Sequence, residues 1–197
     1  MEILSRIISV ALIAIFAENI IFSRGIGVSS MFAASKNKSE LFGFGVIITF
    51  ITTVSSIIAY FIGLKPGEND SSYIYMPLIY VLIIGVVYII TLLVVWRVAH
   101  KLFLEIKKFV HLSAFNCAVL GALFIHYYTK STLLEYIGFG LGTGIGFILA
   151  TYLLSIGYKK LNSNAIPDAF KGFPVMMIYV GILSMAFYGI SGYSAGI

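Results

Sequence analysis

The sequence predicts an all-α integral membrane protein: six transmembrane helices in two inverted-topology three-helix repeats, the first and fourth segments broken into half-helices. Three observations carry this. The chain is 60% hydrophobic and only 11% charged, whereas a soluble domain carries about 25% charged residues, so there are too few charges to coat a surface facing water. Its apolar residues gather into stretches of about 20, the length a helix needs to cross the hydrocarbon core. Its Lys and Arg residues alternate from loop to loop, as they do when loops lie on alternate sides of a bilayer.

The first segment is Ile3–Phe22. Its length, and Glu18 near its end, fit a retained membrane segment better than a cleaved signal peptide. The chain then runs through Ser23-Arg24-Gly25-Ile26-Gly27 into an apolar piece, Val28 to Ala34. That piece is too short to cross but suits a half-helix or re-entrant turn. The polar stretch Lys36-Asn37-Lys38-Ser39-Glu40 leads into the second segment, Leu41–Gly63. Lys65-Pro66-Gly67-Glu68-Asn69-Asp70 is a turn by composition, and the third segment is Tyr73–Trp96. A basic connection from Arg97 to Lys108 precedes the fourth, Phe109–Tyr128. There Ser113, Asn116 and Cys117 stand a few residues before Gly121 and mark a second break. Irregular backbone at membrane depth is tolerated only where protein or a cavity covers it. Thr129-Lys130-Ser131 connects to the fifth segment, Leu133–Tyr158. A polar loop then reaches Gly172, and the sixth segment is Phe173–Tyr193.

Of the 13 Lys and Arg residues, ten lie in the first, third and fifth loops: Arg24, Lys36, Lys38, Arg97, Lys101, Lys107, Lys108, Lys159, Lys160 and Lys171. The N-terminus and the even loops hold Arg6, Lys65 and Lys130. Cytoplasmic loops retain the basic residues, so the odd loops are expected inside and both termini outside. The net charge of +5 is thereby a statement of topology. It is no nucleic-acid patch, because the basic residues are divided among short connections.

An internal echo gives the repeat. Glu40-Leu41-Phe42-Gly43-Phe44-Gly45 opens the second segment and Glu135-Tyr136-Ile137-Gly138-Phe139-Gly140 opens the fifth. An odd number of crossings separates them, so the copies enter from opposite faces, as in an inverted repeat. The halves are residues 1 to about 98 and about 99 to 197 of a single domain spanning 1–197. Such repeats place sites at their interface, on broken helices.

Few residues carry chemistry. Cys117 is the one cysteine, which excludes an intrachain disulfide and a self-contained multi-cysteine metal site. Glu18 is the sole acid within an apolar segment, and an ionisable intramembrane group is a pathway candidate by default. His111 and His126 fall near opposite ends of the fourth segment, about 22 Å apart along a helix. They cannot share a metal and read as interfacial anchors. Gly138, Gly142 and Gly146 share one helix face, the pattern that lets membrane helices approach closely. Tyr73, Tyr75, Trp96, Tyr127 and Tyr128 sit at helix ends, as an aromatic belt requires. No Ser–His–Asp or Cys–His constellation is credible with so few acids.

Three stretches carry a family likeness: Phe115-Asn116-Cys117-Ala118-Val119-Leu120-Gly121, Ile166-Pro167-Asp168-Ala169-Phe170-Lys171-Gly172, and Ser184-Met185-Ala186-Phe187-Tyr188-Gly189-Ile190-Ser191-Gly192. Over nearly its whole length the chain resembles the A/E-type membrane subunits of the Rnf electron-transport complex, nearest the A-type. Those subunits are related to the D/E-type subunits of the sodium-translocating NADH:quinone reductase.

The resemblance implies a subunit of the bacterial cytoplasmic (inner) membrane paired with a homologous sister subunit of opposite topology, alongside further redox subunits. It implies a [2Fe-2S] cluster held within the membrane by two cysteines from each partner, relaying electrons coupled to Na⁺ or H⁺ movement. Cys117 matches one ligand position. Ser29 stands where the family has the other cysteine. Leu92 stands where an intrahelical Glu is expected, and Glu18-Asn19 where two Asn are usual. The alternative reading is a cluster-less paralogue serving as a small secondary transporter or a scaffold.

Overall fold

A computed structural model describes residues 2–35, 38–62, 72–98, 100, 103–129, 132–161 and 166–191. The described residues are helical or in short turns. In chain order the helices are α1 (Glu2–Leu12), a π-helical turn (Ile13–Ala17), α2 (Ile20–Arg24), α3 (Val28–Ser35), α4 (Lys38–Phe61), α5 (Ser72–Val98), α6 (Phe103–Ala114), α7 (Cys117–Thr129), α8 (Leu133–Leu161) and α9 (Phe173–Ser191). A 3₁₀ turn, Asp168–Phe170, precedes α9 and is closed by a 2.6 Å ion pair from Lys171 to Asp168. The composition turn at residues 65–70 lies outside the described residues, as do the side chains of His126, Tyr73, Tyr127 and Tyr128.

Among the described residues, three helices are long and apolar enough to cross a membrane: Leu41–Phe61, Tyr75–Val98 and Leu133–Tyr158. Counted as one span, the pair Ile106–Ala114 and Cys117–Ile125, bent by 43° at the expected break, makes four. The six-segment expectation is met only in part. Phe173–Gly189 is an apolar stretch of less than crossing length, and the first segment is divided.

That division differs from the expectation. The sequence places one break after Phe22, but the chain also breaks at Glu18-Asn19. The π turn ends with the Glu18 N–H donating to the Ile13 carbonyl at 2.8 Å. Asn19, buried, then caps α2. Its Oδ1 accepts from the Ile21 and Phe22 N–H groups, and its Nδ2 donates to the carbonyls of Ile15 (2.9 Å) and Gly146 (3.1 Å). One side chain thus satisfies backbone groups that a helix break orphans.

Helices α4 and α8 form the centre. They run antiparallel, with Thr53 against Gly140 and Thr49 against Gly144. The threonine hydroxyls do not obstruct this approach. Thr49, Thr52 and Thr53 each donate to the carbonyl four residues back, at 2.7, 2.6 and 2.8 Å, a habit that hides hydroxyls along a helix. The four-spaced glycines face the first segment. A Cβ at Gly138 would lie 2.8 Å from the Ile7 carbonyl oxygen, and one at Gly142 2.6 Å from that of Ala11. The packing role read from their spacing is therefore observed, and alternate glycines of the same run serve α4. At the end of this interface Arg6 pairs with Glu135 at 2.8 Å, and Glu135 also accepts from the Thr132 N–H. The arginine is more than half exposed, so Arg6→Ala is expected to cost no more than about 1 kcal/mol. Thermal unfolding of the purified variant measures this.

Apolar surface remains on the outside. Leu78, Leu82, Val86, Ile89 and Leu93 of α5 are each more than half exposed, as are Ile178, Ile182 and Met185 of α9. In a membrane protein such faces meet lipid or another apolar chain.

Candidate functional site

Two helices, α3 and α7, begin side by side. Helix α2 ends where Gly25 takes φ 67° and donates its N–H to the Ile21 carbonyl at 2.9 Å, an αL-type stop. Gly27 follows at φ 90° and its carbonyl accepts from Met31 N–H and the Ser30 hydroxyl, opening α3. Across the site, α6 stops at Ala114 and Asn116 caps α7, accepting the Ala118 N–H on Oδ1 at 3.0 Å. The two openings touch. A Cβ at Gly27 would lie 3.0 Å from the Ala118 Cβ and 3.1 Å from Asn116 Oδ1. Only glycine meets both demands there, the positive φ and the close approach.

This contact sets Ser29, second residue of α3, near Cys117, first residue of α7. Both are exposed, and both line one open cavity of about 610 Å³ with Ser30, Ala33, Lys108, His111, Leu112, Phe115 and Asn116. A second, smaller cavity of about 180 Å³ lies on the other side of Phe115, Asn116 and Cys117, walled by Val81, Ile84, Gly85 and Tyr88 of α5. Asn116 borders both. The residue is 4% exposed, and its Nδ2 has no hydrogen-bond partner. An amide donor buried without an acceptor carries a penalty of about 1–3 kcal/mol.

The structure thus brings Ser29 and Cys117 together and leaves Glu18 apart. Glu18 is exposed at the break after the π turn and does not line the cavity. To the pair the structure adds His111, which the sequence suggests as an interfacial anchor. Helix α6 begins at Phe103, so His111 stands in its last turn and not at the start of the helix. Its ring is half-buried. Nδ1 lies 2.6 Å and Nε2 3.4 Å from the Tyr88 hydroxyl. The signal available in the sequence is its six-residue separation from Cys117 across a helix break. Among the described residues no three of His, Cys, Asp and Glu converge, so these residues close no metal site by themselves.

Fold and site together define a class: helical membrane proteins whose broken segments meet over a thiol-bearing cavity. The chain belongs to the Rnf-Nqr subunit family, whose model, described as "Rnf-Nqr subunit, membrane protein", matches residues 7–194. It is 28% identical over 190 residues to the A-type subunit of the Na⁺-translocating ferredoxin:NAD⁺ oxidoreductase complex of Acetobacterium woodii, covering 96% of this chain and 99% of that one. It is 30% identical over 191 residues to the A-type subunit of the ion-translocating oxidoreductase complex of Pasteurella multocida, and 29% identical over 194 residues to that of Glaesserella parasuis, with 97% of each chain covered in both cases.

Proposed function

We propose that this chain is a membrane subunit of a redox-driven, ion-translocating oxidoreductase complex, forming with a sister subunit the electron relay inside the membrane. The observation that carries the reading is the convergence of two broken segments on one cavity bearing Cys117, in a chain alignable end to end with its A-type relatives. The alternation of basic loops supports both termini outside the cytoplasmic (inner) membrane. The antiparallel pairing of α4 with α8 supports two inverted halves, and the exposed apolar faces of α5 and α9 give area for lipid and for the sister subunit.

Toward a shared [2Fe-2S] site the cavity offers one thiol donor, Cys117. Cys117 supplies the thiolate that such clusters require. Ser29 holds the place of the family's second cysteine, but its hydroxyl would have to lose a proton that it holds tightly. Lys108 sets a cation at the cavity wall, offsetting negative charge there. When bound, the cluster would supply one-electron transfer. The chain's own contribution is to hold the thiolate at a capped helix start and to fix the cavity by the Gly27–Ala118 contact. Glu18, at the π-turn break, is our candidate for the ion pathway.

The test is co-purification. Expressed with the other members of its complex, the chain should be recovered with iron and with a second membrane subunit, and the complex should move Na⁺ or H⁺ across vesicles during electron transfer. Recovery of the assembled complex without iron removes the relay reading. Solute movement by the isolated chain in vesicles identifies a secondary transporter instead.

A further inference from the structure

Resting on the reading of the chain as one subunit of a complex, we infer that the surface around Glu18 is a subunit interface at the middle of the membrane, covered by a helix of another subunit that sets a Lys or Arg against the carboxylate. The depth of Glu18 follows from its neighbours. Ile145 and Gly146 are the middle pair of the span Leu133–Tyr158, with twelve residues on either side. The antiparallel span Leu41–Phe61 agrees, since Thr49, against Gly144, is two residues from its middle. Asn19 Nδ2 donates to the Gly146 carbonyl at 3.1 Å, so Glu18, one residue back, lies at the same level. The sequence alone puts this acid near the end of the first segment; the packing moves it to the centre.

Lipid cannot cover this surface. Glu18 is exposed on this chain, and among the described residues no hydrogen bond or ion pair reaches its carboxylate. About 15 Å of hydrocarbon separates the middle of a bilayer from either interface, far more than a glutamate side chain spans to reach water. Ionisable groups at that depth face protein or a water-filled cavity and are paired. The backbone makes the same demand. Glu18 has φ −107° and ψ 36°, and α2 does not start until Ile20. Such a break in hydrocarbon needs cover. Asn19 is buried and serves the inner side of the break, and Glu18 stands on the outer side. The surface around the carboxylate is apolar. Ile13 and Phe16 are each nearly half exposed, and Tyr188 of α9, across a small cleft from Phe16 and Ala17, is more than half exposed. An apolar rim around a single acid fits a membrane helix that carries one cation. In a two-fold contact between copies of this chain the patch would meet itself, acid against acid, so the partner is a different chain. An ion path at Glu18 then runs along the seam between two subunits and not through this one.

The experiment uses the assembled complex in its membrane, with Phe16 replaced by the photoreactive residue benzoylphenylalanine. Irradiation is expected to join the chain to a membrane segment of another subunit, and the peptide mapped from the adduct should carry a Lys or Arg within its apolar stretch. Removing one partner of a buried ion pair is strongly destabilising, so Glu18→Gln should lower recovery of that subunit with the chain by at least about tenfold. Glu18→Lys combined with Glu at the mapped basic position should restore it, which separates a lost charge pair from misfolding. Adducts with lipid alone or with a second copy, a mapped segment without Lys or Arg, or full recovery of the partner with Glu18→Gln overturn the interface while the complex-subunit reading stands. A wild-type chain recovered with no other subunit overturns both.

Discussion

Cys117→Ser is expected to strip iron from the assembled complex while leaving the fold intact. The thiol is exposed at the first position of α7. The helix start is secured by Asn116, whose side chain caps it. Exchange of sulfur for oxygen at an exposed position costs within about 0.5 kcal/mol of stability, so expression and thermal unfolding should match the wild type. Iron affinity should fall by more than about tenfold, because loss of an outer-shell partner alone costs about 10- to 100-fold. Electron transfer through the membrane part should fall with it. Iron content, the cluster's absorption and turnover of the complex, compared at equal protein, decide the matter. An unchanged cluster signal in a well-folded Cys117→Ser complex would remove this residue from the relay.

The value of that comparison depends on how the cavity is built. Asn116 caps α7 with its oxygen, and its Nδ2 is buried without a hydrogen-bond partner. Asn19 has the corresponding capping role in the first segment, but there the nitrogen is satisfied by the Ile15 and Gly146 carbonyls. Two asparagines thus cap the breaks in apolar segments, and the one at the first break also locks it to α8.

Much of this is legible in the sequence, for identifiable reasons. Long apolar helices are written in composition, so α4, α5 and α8 follow from hydropathy alone. The glycine run signals close packing because four-residue spacing maps onto one helix face, and the carbonyls of Ile7 and Ala11 occupy that face. The break at Asn116 is visible as polar residues before Gly121. The break at Glu18-Asn19 is not, because it depends on a carbonyl 127 residues away accepting from Asn19. Helix α6 begins earlier than the sequence suggests. A length rule that counts only apolar residues starts the fourth segment at Phe109, whereas α6 begins at Phe103 and carries Lys107 and Lys108 on its way to the cavity. The meeting of Ser29 with Cys117 follows from family likeness, since no local pattern links two helix starts so far apart in the chain.

Gly144→Ala and Gly181→Ala are the same chemical change and are expected to have opposite signs. Both glycines lie inside helices, where alanine is intrinsically better by about 0.5–1 kcal/mol. A Cβ at Gly181 meets nothing within 4 Å, so that variant should keep the gain and unfold slightly later than the wild type. A Cβ at Gly144 would overlap the Thr49 side chain and its Cα. The obstacle includes backbone, so a rotamer change cannot clear it and α4 must move away from α8. Overpacking of this kind costs about 1–3 kcal/mol, enough to outweigh the propensity gain. The damage should also reach the site. Helix α8 carries Phe147, which would lie 3.5 Å from a Cβ at Gly27, and the Gly146 carbonyl that holds Asn19. Displacing α8 therefore loosens both breaks at once. In detergent, Gly144→Ala should unfold at lower temperature than Gly181→Ala and, in the assembled complex, retain less iron. Equal melting temperatures for the two variants would show that α4 and α8 are not packed through these glycines, and the position assigned to Cys117 would lose its support.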